Sequence, residues 1–188
     1  HYLEWKDPYP LTVEQVGAGD ASQDVLLAGL FSKTNFLDVL QNFTVFEPVD
    51  GRIIKKIPRY QQFRAVHKTI ERLKEGETPK DKSGVIWHTQ GSGKSLTMVF
   101  LTIKMRRDPE LRDYKLVFLT DRTQLDSQLT STFSNAQGET VRHADSVKSL
   151  KELLASDASD IITAMVQKFQ ESADEFEFPV LNESEKII

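Results

Sequence analysis

The sequence predicts an α/β protein with a doubly wound parallel sheet and a mainly helical N-terminal arm. Beyond residue 83, short apolar runs alternate with helix-like segments of about ten residues or more, and parallel strands need crossover connections of this kind. A glycine-rich turn lies between the first apolar run and the first of these segments. The 188 residues, 39% of them hydrophobic, are enough to bury a core.

The first 50 residues form the predicted arm. Trp5, Pro8 and Pro10 favour an extended opening. Clustered apolar residues predict short helices at 23–32 and 35–42. The stretch TVFEPVDGRIIKKI, residues 44–57, predicts two short strands around a Val-Asp-Gly turn.

The remaining elements follow in alternation. Apolar residues at helical spacing from Tyr60 to Leu73 predict a helix that stops near Gly76, and a polar loop follows at 77–83. Strands are then expected at 84–88, 115–120, 140–144 and 160–164, and helices at 95–107, 123–133 and 146–155.

The charge of the chain is unevenly distributed. Lys and Arg number 24 and Asp and Glu 28, a net charge of −4 that by itself argues against nucleic-acid binding. Residues 52–82, however, carry ten basic and four acidic side chains, whereas residues 171–188 carry six acids and one lysine. We expect 171–185 to be a solvated loop.

The composition also indicates the kind of compartment in which the protein works. With no cysteine, the chain has neither a disulfide framework nor a thiolate metal site, and we expect a reducing, intracellular compartment. No apolar run has the roughly 18 residues that a membrane span requires. The chain begins at His1 and ends on an apolar Ile-Ile, so we expect both ends to be cuts in a longer chain. His67 and His143 are expected to be isolated surface residues.

The stretch His-Thr-Gln-Gly-Ser-Gly-Lys-Ser, residues 88–95, predicts a phosphate-binding loop of the P-loop type. Gly91 and Gly93 allow a tight turn that points backbone N–H groups at phosphates, and the following helix adds its positive end. Lys94 is expected to reach the β- and γ-phosphates and Ser95 to ligate Mg²⁺. The usual first glycine is replaced by His88. The predicted nucleotide-binding residues here are Thr89, Gln90, Gly91, Ser92, Gly93, Lys94, Ser95 and Leu96, with Lys94 and Ser95 also the catalytic candidates.

Kinases, GTPases and motor ATPases share this loop, so it does not specify the reaction. Three further segments resemble superfamily 2 helicases. Residues 57–66, IPRYQQFRAV, resemble the Q motif; residues 119–125, LTDRTQL, resemble motif Ia; and residues 161–169, IITAMVQKF, resemble a later segment of the same domain. In combination with residues 36–66, these motifs are similar to the R subunit of type I restriction-modification enzymes, the motor and nuclease polypeptide.

The resemblance implies a P-loop NTPase, RecA-like fold that is incomplete at its C-terminus. Residues 1–50 would link an absent nuclease domain to the motor, and 51–188 would form part of the first RecA-like domain. ATP and Mg²⁺ are the implied cofactors. Arg59 and Gln62 would contact the nucleotide, with Gln62 selecting adenine. The residues implied on the DNA side are Arg122, Gln128 and Lys168.

In such an enzyme, ATP hydrolysis would move double-stranded DNA past a complex with methyltransferase and specificity subunits, in the bacterial or archaeal cytoplasm. The family's Asp-Glu-Ala-His segment is absent from the 188 residues, and Lys186-Ile187-Ile188 resembles the strand that precedes it. We therefore expect the chain alone to be catalytically inactive. Three alternatives stay open: another superfamily 2 DNA helicase or repair translocase, a small-molecule or nucleoside kinase, and a non-catalytic fragment that docks other subunits.

Overall fold

The computed structural model describes residues 4–17, 22–49, 51–121, 133, 141–169 and 180–188. The chain divides into two compact units, His1–Lys104 and Met105–Ile188. The helices of the described part are α1 Val13–Val16, α2 Ser22–Gly29, α3 Lys33–Asn42, α4 Tyr60–Glu75, α5 Pro79–Lys82, α6 Lys94–Arg107 and α7 Val147–Ala155. Its strands are β1 Val45–Val49, β2 Arg52–Lys56, β3 Leu116–Thr120, β4 Val141–His143 and β5 Ile161–Met165, and a 3₁₀ helix covers Val166–Phe169.

Helix α4 organises the core of the first unit. Its buried residues Phe63, Val66, Ile70 and Leu73 recur at helical spacing, which confirms the predicted amphipathic helix. The Phe63 ring meets three other aromatic rings at centroid distances of 4.3–5.8 Å: Trp5 of the arm, Phe43 after α3, and His67 one turn along α4. Each fully buried aromatic or aliphatic side chain stabilises the fold by about 1.5–3 kcal/mol.

Helix α4 ends at Gly76, as predicted, and the surroundings leave room only for a glycine there. Its φ is −67°, so the left-handed conformation of many helix ends is not used here. A Cβ at this position would lie 2.8 Å from Lys82 Cγ. The short helix α5 occupies part of the predicted 77–83 loop, with Pro79 in its first turn and Thr78 accepting a hydrogen bond from the Asp81 amide.

A hydrogen-bonded triad ties the arm to α4 and α6. The Asp38 carboxylate on α3 lies 2.7 Å from His67 Nε2 on α4 and 2.8 Å from Lys104 Nζ on α6. His67 also stacks on Phe43 with an interplanar angle of 11°. The prediction that His67 is an isolated surface residue is therefore wrong, because its partner comes from a helix 29 residues away in sequence. The domain boundary after residue 50 stays a prediction.

The two predicted strands at 44–57 are confirmed as an antiparallel hairpin, β1 paired with β2. Gly51 in the turn has a φ of +74°, a conformation that favours glycine. Val45 is buried at the base of the hairpin, whereas most of β2 is exposed.

The second unit contains a parallel sheet in the order β3-β5-β4, which confirms the predicted α/β class. The central strand β5 is buried from Ile161 to Ala164, as expected for a parallel strand covered on both faces. Helix α7 connects β4 to β5 and buries Leu150 against Ile162 and Ala164.

The last residues pair with the free edge of β3. The Lys115 amide donates to the Lys186 carbonyl at 2.8 Å, and the Val117 amide donates to the Ile188 carbonyl at 2.7 Å. The bridge between Lys115 and Ile187 is parallel. Residues 186–188 therefore pair with β3 through an isolated bridge, and a full strand at this place stays a prediction.

Lys115 is a buried cation bound by carbonyl groups. Only 3% of the residue is exposed, and its ammonium donates to the carbonyls of Leu153, at 2.6 Å, and Ser156 at the C-terminus of α7. Burial lowers the pKa of Lys115 below its usual value. The negative end of the helix dipole favours a cation at this place.

Two predicted elements are not confirmed by the structure. Residues 84–88 form no strand, because no other described strand pairs with them, and Val85 and Trp87 are 90% and 87% exposed. The predicted helix at 123–133 falls outside the described residues, apart from position 133.

Asp38 should make the stability of the protein depend on acid pH. Burial raises the pKa of Asp38, but hydrogen bonds from His67, Asn42 and Lys104 outweigh burial and lower it to about 2. The unfolded chain, with a pKa near 3.8 at this position, therefore binds the proton more readily. This contribution is complete above about pH 5 and is lost as the pH falls towards 2.

Asp38→Asn should weaken the dependence of the free energy of unfolding on acid pH. At pH 7 it should lower that free energy by on the order of 1 kcal/mol, a value reduced because the carboxylate is partly exposed. Urea unfolding between pH 7 and 3 measures both effects. Asp24→Asn, an exposed substitution on α2, is the matched control. Identical pH dependence in the two variants would contradict the role of Asp38.

Candidate nucleotide-binding site

The predicted phosphate-binding loop has the backbone conformation that its glycines require. Gly91 and Gly93 have φ values of +76° and +86°, in the left-handed region. The Ser92 amide donates to the Thr89 carbonyl at 3.3 Å, which closes the turn. Helix α6 begins directly afterwards at Lys94, so its unpaired N–H groups and positive end lie at the loop.

Lys94 folds back over the loop. Its Nζ donates to the carbonyls of His88 and Thr89 at 3.3 and 3.1 Å, and the residue is exposed. A phosphate oxygen is a charged acceptor that binds an ammonium more strongly than a neutral carbonyl does. The same side chain can therefore exchange the two carbonyls for a phosphate group without leaving the loop.

Gln62 connects α4 to this loop. Its Nε2 donates to the Gly93 carbonyl at 3.0 Å, and its Oε1 accepts from the Arg59 amide at 2.8 Å. The residue is 2% exposed. Sequence reasoning placed Gln62 at adenine, but in this structure both ends of its amide are bound within the protein. A Cβ at Gly93 would lie 2.7 Å from Gln62 Nε2, so glycine also provides the room for this contact.

His88, at the position of the usual first glycine, lines the base of the loop. Burial, and secondarily the Lys94 charge, lower the pKa of His88, which favours the neutral ring. Its Nδ1 is buried and has no hydrogen-bond partner among the described residues. The ring borders a cavity of about 90 Å³ between α4 and α6, which is also lined by Val66, Thr69 and Leu101.

The other loop residues differ in exposure. Thr89 and Gln90 are exposed, Ser95 and Leu96 are half-buried, and Ser92 is buried with its hydroxyl donating to the Thr89 carbonyl at 2.7 Å. Mg²⁺ bound with a nucleotide needs few protein oxygens, because phosphates and water supply the rest. The Ser95 hydroxyl in the first turn of α6 fits that need. Among the described residues, no group of three His, Asp or Glu side chains forms a metal site.

The predicted DNA-side residues are only partly described. Arg122 and Gln128 lie outside the described residues, and for Lys168 the structure describes the backbone, in the 3₁₀ helix, but not the side chain. Arg59 is exposed at the N-cap of α4. Sequence reasoning did not single out Gln167, whose Nε2 donates to the Asp121 carbonyl at 3.2 Å. This contact joins the segments that follow β3 and β5. The only sequence feature that pointed to Gln167 was the Gln-Lys-Phe motif that contains it.

A glycine-rich loop that turns into a helix, with a lysine over its backbone, is typical of a P-loop nucleotide-binding protein. Residues 61–188 match the SWI2/SNF2 ATPase family, and the chain belongs to this family. No helix of the described part has the length and apolar character to cross a membrane.

Two similar proteins are named as subunits of restriction enzymes. A Methanocaldococcus jannaschii protein named as the MjaIXP endonuclease subunit of a type I restriction enzyme is 40% identical over 172 residues, 89% of this chain and 16% of that protein. The HindI type I endonuclease subunit of Haemophilus influenzae is 36% identical over 170 residues, 87% of this chain and 16% of that subunit. The chain thus spans about one sixth of these curated relatives. The resemblance to the type I endonuclease subunit is confirmed.

Gln62→Glu should loosen the loop. A carboxylate can still accept from the Arg59 amide, but it cannot donate to the Gly93 carbonyl, which keeps only its bonds from Thr97. It would also place a negative charge at a buried position beside that carbonyl oxygen. We expect the free energy of unfolding to fall by about 1–3 kcal/mol. Thermal or urea unfolding measures the loss.

Gln41→Glu, the same chemical change at an exposed position of α3, provides the control. An equal effect of the two substitutions would mean that the contact between Gln62 and Gly93 does not hold the loop.

Proposed function

We propose that this chain is a segment of the DNA-translocating endonuclease subunit of a type I restriction enzyme. In the whole subunit, ATP hydrolysis moves double-stranded DNA past a complex that also contains methyltransferase and specificity subunits, and cleavage follows. The observation that carries this proposal is the Lys94 loop at the head of α6 in a chain 36–40% identical to type I endonuclease subunits.

The loop residues account for binding of the phosphates. Backbone N–H groups from Gly91 to Ser95 would bind the phosphates, and Lys94 would exchange the His88 and Thr89 carbonyls for phosphate oxygens. Ser95 would hold Mg²⁺, which would neutralise charge that develops on the phosphates. Because Lys94 already lies over the loop, phosphate binding needs only a short movement of one side chain.

Adenine selection is assigned to Gln62, with Arg59 beside it. In the structure the Gln62 amide is bound to the Gly93 carbonyl and the Arg59 amide. Contact with a base therefore requires the bond to Gly93 to open, and base recognition is coupled to the loop that binds the phosphates.

The DNA contacts are assigned to Arg122, Gln128 and Lys168. In a parallel sheet the segments after the strands lie at one edge, where α/β proteins bind ligands. Asp121 and Gln167, joined by a hydrogen bond, stand at that edge, and in the sequence they directly precede Arg122 and Lys168. Contacts to phosphates suit a motor that moves along any sequence, and sequence choice would belong to the specificity subunit.

Hydrolysis also needs an acid that holds Mg²⁺ and a group that orients the attacking water. The family's Asp-Glu-Ala-His segment, which supplies both, does not occur in the 188 residues. We therefore propose that the chain alone binds nucleotide weakly, if at all, and does not hydrolyse it.

A second candidate role, subunit docking by residues 1–50, is favoured by apolar side chains on the arm. Leu27, Phe31 and Leu37 are 58%, 51% and 53% exposed on α2 and α3 or between them. Capture of the methyltransferase subunit by the wild-type chain, and its loss in Leu27→Ser with Leu37→Ser, would support this role.

Lys94→Ala should abolish the motor activity of the whole subunit. Loss of the charge that stabilises the transferring phosphoryl group costs about 100-fold or more in ATP turnover. Translocation and cleavage should stop, while binding of the complex to its DNA site is kept. Lys80→Ala, at an exposed position outside the loop, is the control.

Steady-state ATPase and triplex-displacement assays measure the two activities. Unchanged turnover in Lys94→Ala would remove this residue from the mechanism. For the 188-residue chain by itself, ATPase activity that Lys94→Ala abolishes would contradict the proposed inactivity.

A further inference from the structure

We propose that the β1–β2 hairpin, residues 45–56, is a second contact surface for double-stranded DNA. It is separate in sequence from the three residues assigned to DNA above. The proposal rests on the proposed function in one respect, because that function makes DNA the partner of the protein.

The register of the hairpin places four exposed residues on one face. Phe46 lies opposite Lys55 and Pro48 lies opposite Ile53, so these side chains point to the same side of the ribbon. All four are exposed, with Phe46 and Ile53 at 54% and 77%. Val45, which points to the other side, is 3% exposed and fixes the base of the hairpin in the core.

The hairpin is also strongly basic. Residues 51–59 contain Arg52, Lys55, Lys56 and Arg59 and no acid. Lys56 forms an ion pair with Glu47 on β1. Arg52 and Lys55 are exposed, and neither forms an ion pair with a residue that the structure describes. Lys55 is thus presented to solvent on the face of Phe46 and Ile53, and Arg52, opposite Val49, on the other face of the ribbon near the turn.

Both outer edges of this two-stranded sheet are unpaired within the described part of the chain. An isolated hairpin is marginally stable in water, and an exposed Phe and Ile add to the free energy gained when a partner covers them. A purely apolar partner would not be sufficient, because Arg52 and Lys55 also need hydrogen-bond acceptors. Duplex DNA meets both needs, with phosphates for the cations and sugar surface for the apolar face.

The dimensions agree with this partner. The major groove of duplex DNA is about 12 Å wide and admits a two-stranded β-ribbon, whose strands lie about 4.8 Å apart. Five residues per strand extend roughly 17 Å, enough to cross the groove. Because the contacts are mainly to phosphates, the hairpin should bind DNA without sequence preference.

The test uses the 188-residue chain and a labelled 30-base-pair duplex of mixed sequence, with fluorescence anisotropy from about 50 to 200 mM salt. Arg52→Gln with Lys55→Gln should weaken binding about tenfold at the lowest salt and reduce the slope of log K against log salt by about 2. The matched control, Lys33→Gln with Lys80→Gln, removes the same charge from exposed positions elsewhere and should change Kd less than twofold.

A photo-crosslinking amino acid at position 53, in an otherwise wild-type chain, gives an independent measurement. Crosslinks to the duplex are expected. Three outcomes would each overturn the proposal. They are equal weakening by the two charge variants, a crosslink to a second copy of the chain in place of DNA, and no DNA binding by the wild-type chain. Lys94→Ala should bind the duplex like the wild type, so failure of the motor function and failure of the hairpin contact are distinguishable.

Discussion

Gln62 donates a hydrogen bond to the Gly93 carbonyl, and the packing of the first unit holds these two groups together. The bond needs α4 at one fixed distance from the phosphate-binding loop. Phe63, the next residue, is 1% exposed among Trp5, Phe43 and His67, so the helix cannot rotate without exposing that ring. The packing of one aromatic residue thus fixes the polar contact of its neighbour.

The same constraint explains why the arm packs closely against α4. Asp7 pairs with Arg64 at 2.6 Å and Tyr9 donates to Glu71, so the extended opening is held along the helix. Asp38 then joins α3 to both α4 and α6, and α6 is the helix that begins at the loop. A substitution in the arm can therefore affect the nucleotide loop, because a continuous series of side-chain contacts joins the two.

Much of the local structure could be predicted because it depends on near neighbours in sequence. The periodicity of α4, the Val-Asp-Gly hairpin and the glycines of the loop are all local patterns, and the structure confirms them. The candidate site was predicted less completely. Residues 84–88 are apolar and resemble a strand, but a strand also needs a hydrogen-bonded neighbour, which a run of apolar residues does not reveal. His67 was misjudged because its carboxylate partner is distant in sequence.

The sequence by itself determined the class of the protein. The order of strands and helices, the glycine spacing around Lys94 and the basic stretch before it follow from residue type and position. Only the tertiary structure decided how the residues are used: Gln62 is engaged by the Gly93 carbonyl, Lys115 is buried at the end of α7, and Phe46 and Ile53 share an exposed face with Lys55. These pairings depend on packing between segments far apart in the chain, which no local pattern encodes.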